Sequence, residues 1–151
     1  MRLGFVLLLC VIPLRLIASS ADRLQTISDD LRGRLDILET VHVTRVDHNP
    51  LVMSVETLSG RSGPFVITVD EQFIRTLSED ELRAAIAHEL GHVWIYTHHP
   101  YLQTERLAND IAMRVISRSV LEPVYQKVWT RTGMRGSFAE YLNATLPGGG
   151  Q

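Results

Sequence analysis

One stretch of this sequence restricts the fold more than any other: residues 78–99, where a helix start, an apolar stripe and a spaced pair of histidines coincide. Ser78 is followed three residues on by Glu81. That pair lets each side chain accept a backbone N–H at a helix start. From there Leu82, Ala85, Ile86, Leu90, Val93 and Trp94 recur at helical spacing and predict one apolar face. Pro100 disfavours helix in the residue before it, so the helix is predicted to end at His98-His99. His88, Glu89 and His92 fall inside it. A helix turns by about 100° per residue, so positions four apart point within about 40° of each other, one turn along the axis. Both imidazoles therefore reach the same point in space, and Glu89 projects from a neighbouring direction. The fold has to bury the apolar face and keep that point open.

Two neutral imidazoles at this spacing suit a zinc ion. Zinc polarises water and carbonyl groups, and a carboxylate beside it can take a proton without occupying a ligand position. A pair of surface histidines, or a purely structural metal, would leave Glu89 without a role. A hydrolytic site needs a third protein ligand and an open position. Glu105, thirteen residues past His92 at the start of another helical pattern, is the preferred candidate; His98, six past His92, is the alternative. His98 would serve only if the chain turned sharply after His92, usually at a glycine, and Ile95 stands there. In a continuing helix His98 faces about 120° away from the metal side. Asn109, one turn beyond Glu105, can accept the outer N–H of a ligating histidine. Asp110 competes for that task as the better base, but points about 100° further round.

The remaining pattern predicts an α+β fold in a chain of 151 residues, enough for one domain. Residues 22–39 read as an amphipathic helix with Leu24, Ile27, Leu31, Leu35 and Leu38 inward. Strands are predicted at 41–46, 51–57 and 65–69, with His42 on a strand face and His48 in a turn. A helix over 103–118 and short helices over 124–130 and 137–146 follow, then a loose tail at 147–151. Residues 1–21 have the order of a secretory signal peptide: Arg2, an apolar run, then Ala18-Ser19-Ser20-Ala21. Cleavage there would leave a single domain over 22–146, without Cys10 and without a stable membrane span, in the periplasm or outside the cell. An uncleaved N-terminal membrane anchor is the alternative. The net charge of −2 argues against a nucleic-acid partner.

At these residues the chain resembles the HtpX-like and CAAX-prenyl-protease-type zinc metallopeptidases. The resemblance runs from Asn49 to about Ala112. It rests on Phe65 to Thr68, Leu77 to Leu82, Ala87-His88-Glu89-Leu90-Gly91-His92-Val93, and Glu105 to Asn109. It implies a zincin fold, with a small twisted sheet on the zinc helix and a helical C-terminal part. It also implies His88, His92 and Glu105 as ligands of one zinc ion and Glu89 as general base. That family usually carries Ala-Asp where this chain has Ala108-Asn109, and its membrane-bound members carry transmembrane helices not seen here. Glu-x-x-Ala-Asn is closer to the ImmA/IrrE metalloproteases, a weaker resemblance.

The expected function is zinc-dependent endopeptidase cleavage of exported or cell-envelope polypeptides. An exported zinc-binding module with chaperone-like or interaction duties and little proteolysis is the alternative. Substrate is expected to add as a strand along Leu51, Val52, Met53, Ser54, Val55 and Glu56, with Pro50 suiting a strand start or edge. Tyr125, Tyr141, Arg114 and Arg118 are the candidates for a transition-state donor.

Overall fold

The structure is a computed structural model that describes residues 20–59 and 63–134. Residues 1–19 of the signal segment, with Cys10, the 137–146 helix with Tyr141 and the 147–151 tail are expectations that lie outside the described residues, while Ser20 and Ala21 form the start of the first helix. Helix α1 (Ser20–Arg34) leads into strands β1 (Val41–Val46), β2 (Met53–Thr57) and β3 (Phe65–Asp70). A single turn, α2 (Glu71–Ile74), precedes the long α3 (Glu79–His98), and a 3-10 turn over Pro100–Leu102 joins it to α4 (Glu105–Ala112) and α5 (Arg118–Thr132). The fold is mixed α+β, as the sequence pattern predicts.

The sheet order is β1-β3-β2, with β1 parallel and β2 antiparallel to β3. The central β3 buries Phe65, Ile67 and Val69, which is why its sequence is the most continuously apolar. Its two neighbours differ in what lies beyond them. The Gln25 amide of α1 donates to Val41 O at 2.8 Å and accepts from Val43 N at 3.0 Å, as a neighbouring strand would do for β1. Among the described residues nothing equivalent covers β2. Bonds from Asp70 N to Val52 O (2.8 Å) and from Leu58 N to Pro64 O (2.9 Å) set the alternation along β2. Ser54 and Glu56 turn their backbone groups to β3, and Val55 turns its own to the open edge.

Helix α3 runs between the sheet and the C-terminal helices. The Ser78–Glu81 capping box forms, and Lys127 of α5 ties down Glu81 at 2.7 Å. Ile86, Leu90, Val93 and Ile95 are fully buried, each worth about 1.5–3 kcal/mol relative to exposure. The helix is thus covered nearly all round, not on one face; His88, His92 and Tyr96, one turn apart, form its partly open strip. Gly91 lies where α3 crosses α4: a Cβ there would stand 2.4 Å from Ala108 O, so any side chain would push apart the helices that carry His88 and Asn109.

Several boundaries differ from those predicted. Helix α1 ends at Arg34 because Asp36 adopts a left-handed φ of 55°. Asp36 N and Ile37 N donate back to Gly33 O and Arg32 O, closing a Schellman turn. Leu38, expected inward, is 89% exposed, and Ile37 is buried in its place. Strand β2 starts at Met53, since Val52 has φ of 68° in a turn where Asn49 Oδ1 accepts from Leu51 N at 2.9 Å. The helix expected over 103–118 is shorter, α4 over Glu105–Ala112, and the one expected over 124–130 is longer, α5 over Arg118–Thr132.

Candidate metal centre

Two elements bring the site together. Helix α3 presents His88 and His92, and the first turn of α4 presents Glu105, with Thr104 capping that helix by accepting from Leu107 N. His88 Nε2 and His92 Nε2 are 3.2 Å apart; Glu105 Oε2 lies 3.1 Å from the first and Oε1 3.3 Å from the second. One ligand atom from each residue can be chosen so that all lie within 4.8 Å of one another. Four-coordinate zinc with bonds of about 2.0–2.1 Å sets neighbouring ligand atoms about 3.3 Å apart. The three separations match that spacing, and the donor set of two imidazoles and one carboxylate matches zinc chemistry. Two ring nitrogens facing each other at this distance require a proton or a cation between them.

The charges are arranged accordingly. Burial pushes the Glu105 carboxyl up, but bonds to His88 and His92 outweigh it and hold it well below the usual carboxylate range. Burial lowers the His92 imidazole, and Glu105 more than reverses that, leaving it above its ordinary value. Glu89 is 7% exposed, and burial pushes its carboxyl up, against the pull of His88 and His92.

Around these groups lies a layer of amides and a phenol. Asn109 Oδ1 is 2.8 Å from His88 Nδ1 and accepts from Tyr125 Oη at 2.9 Å. A carbonyl oxygen only accepts, so the bond between Asn109 and His88 is donated by Nδ1–H and leaves Nε2 facing Glu105. Asn109 is fully buried and its Nδ2 has no partner. Gln103 does for His92 what Asn109 does for His88, with Oε1 3.2 Å from His92 Nδ1. Gln103 was not legible in the sequence: it precedes α4 in an irregular link, where no helical spacing relates it to His92. Tyr125 is the one transition-state candidate among the described residues found at the cluster, 3.3 Å from His88 Nδ1 and 3.4 Å from Glu105 Oε2.

Other sequence candidates lie elsewhere. His98 stacks on Trp94 with ring centroids 4.1 Å apart and directs Nδ1 to Trp94 O at 2.9 Å, so the alternative ligand is turned to the end of α3, as the continuing helix requires. Asp110 is exposed, and Asn109 occupies the place beside His88. Arg114 lies over the Trp94 ring at 4.9 Å. His48 stands 3.8 Å from the buried Asp70, away from the centre.

The cluster sits in a cleft of about 820 Å³. Its walls are residues 51 and 53–57 on one side and α3 with α5 on the other, where Val124, Val128 and Trp129 make an apolar lining. A buried carboxylate beside a two-histidine, one-carboxylate cluster, in a cleft flanked by a sheet edge, suits a metal-dependent peptidase. The model of peptidase family M48 matches residues 58–146, and this chain belongs to that family. The metallopeptidase zymogen abylysin of Pyrococcus abyssi has a similar fold, with 17% identity and a TM-score of 0.52 over 74% of this chain and 97% of that one. No curated protein matches the sequence.

Proposed function

We propose that this protein is a zinc endopeptidase in which His88, His92 and Glu105 hold the metal and Glu89 is the general base. The observation that carries the reading is the tetrahedral spacing of the three ligand groups at 3.1–3.3 Å with buried Glu89 one residue from His88. Bound zinc supplies Lewis acidity, making water nucleophilic at neutral pH and stabilising negative charge on the attacked carbonyl. Glu89 takes the proton of the attacking water and passes it to the leaving amine, so no covalent intermediate arises. Asn109 and Gln103 keep the ring Nδ1 atoms protonated and both Nε2 atoms free for the ion. The open edge of β2 offers backbone groups to an extended polypeptide, which lays the scissile bond along the α3 strip. Tyr125, within reach of His88 and Glu105, limits how those side chains turn.

Glu89→Gln tests the mechanism. It leaves the ligands in place and removes proton transfer, so hydrolysis of unfolded casein should fall by about 10²–10⁴-fold while zinc content stays at one per chain. Native activity in that variant, or loss of zinc with it, would overturn the assignment.

We also propose that the substrates are exported or cell-envelope proteins, because residues 1–21 have signal-peptide order. Mass spectrometry of the exported chain should find its N-terminus at Ala21 or Asp22. An intact Met1 in a membrane fraction would show an anchor instead.

A further inference from the structure

Three consecutive residues connect the end of the 3-10 turn to the third ligand group, and each does something different. Thr104 starts α4 through its side chain, and Glu105 brings a carboxylate to the two histidines. Gln103 grips a single residue of α3 with both ends of its amide. Its Oε1 lies 3.2 Å from His92 Nδ1, and its Nε2 donates to His92 O at 3.1 Å. The imidazole and the main chain of His92 are thus held by one rigid planar group. The ring can then rotate only by giving up the acceptor at Nδ1.

We propose that Gln103 is a positioning residue for the metal site: its Oε1 fixes the His92 ring with Nδ1 protonated and Nε2 aimed at the ion. The proposal rests on the reading of His92 as a zinc ligand. Gln103 is solvent-exposed, unlike the buried Asn109 behind His88. Its replacement therefore leaves no buried polar group stranded, and the fold tolerates it. The two bonds have separable effects. The Oε1 bond acts on the ring, and so on metal affinity; the Nε2 bond acts on the main chain, where His92 O already has its helical partner.

The test uses three full-length proteins, and its readout is the zinc dissociation constant from competition with a coloured chelator. The thermal midpoint of each metal-free protein serves as a fold check. Gln103→Met keeps the length and removes both bonds; it should weaken zinc binding by about 10–100-fold, the usual effect of removing a partner behind a metal-bound histidine. Gln103→Glu keeps an acceptor for Nδ1–H, removes the donor to His92 O and adds a negative charge beside the site; it should bind zinc at least as tightly as the native protein. Native affinity in Gln103→Met overturns the proposal. So does a loss in Gln103→Glu equal to that in Gln103→Met, because the main-chain tether would then be the whole effect. Failure of the native protein to bind zinc would overturn the metal reading itself, which the other two outcomes leave standing.

Discussion

Asn109 satisfies two donors with one oxygen and leaves its own NH2 buried and unpaired. An unsatisfied buried donor costs about 1–3 kcal/mol, so the residue is not optimised for stability alone. A carboxylate in its place would accept from His88 and Tyr125 equally well and would carry no orphan. It would also add a negative charge beside Glu105, tolerable only when a cation lies between them. Asn109→Asp should therefore lower the thermal midpoint of the metal-free protein and raise zinc affinity, widening the gap between loaded and metal-free forms in calorimetry. A narrower gap would show that the neutral amide is needed for binding. The resemblance to enzymes with Asp at this place motivates the substitution, and the fully buried Asn109 amide makes its cost measurable. At this scale the pairing of His88 with His92 was legible because helical spacing alone makes the two rings converge. Asn109 was legible by its offset from Glu105. Gln103 was not, because its approach depends on how an irregular link folds back over α3.

At the scale of elements, the edge of β2 decides how a substrate strand could add. Only Val55 at the centre of β2 directs its backbone N–H and C=O outward by the alternation of the ladder. A proline at Ser54 would break pairing with β3, and Val52, with φ of 68°, cannot host proline, whose φ is fixed near −65°. Val55→Pro is the informative change. It removes one donor from the open edge, where proline is tolerated, and one hydrogen bond is worth about 0.5–1.5 kcal/mol. The expected result is a fall in kcat/KM of about two- to tenfold for an extended peptide, with Val55→Ala near native and zinc content unchanged in both. Equal rates in the two variants would place the substrate away from β2. The strand itself was legible in the alternation of residues 51–57, but its first turn was not. Asp36 and Val52 take left-handed φ without being glycine, so nothing in residue type marks where α1 stops or β2 starts. The helix expected over 124–130 starts earlier, at Arg118, and its first turns bury Leu121.

For the whole molecule, a metal held by His88, His92 and Glu105 would join parts of the chain that already pack against each other. The helix bearing His88 and His92 meets α4 at Gly91 and Ala108, a contact between helix backbones that does not pass through the three ligand groups. Binding should therefore add stability without being required for folding. With free zinc at 100 times Kd the gain is about 2.7 kcal/mol, or roughly 10 °C in Tm for a domain of this size. The gain depends on pH with a definite sign. In the metal-free protein the His92 imidazole is held above its ordinary value by Glu105. That linkage stabilises the metal-free fold below the free-chain value of about 6.5, and the contribution is lost as pH rises through the folded value. Zinc needs the neutral ring, so protons compete with it at the low end. Adding chelator should thus lower Tm most at pH 8 and progressively less toward pH 5.5, where the metal-free protein regains its own ion pair and the loaded form loses affinity. Melting curves at several pH values, with zinc or chelator in excess, measure the gap directly. A gap that stays constant across that range would mean that the ligands do not titrate with the metal, and the two-histidine site would have to be abandoned.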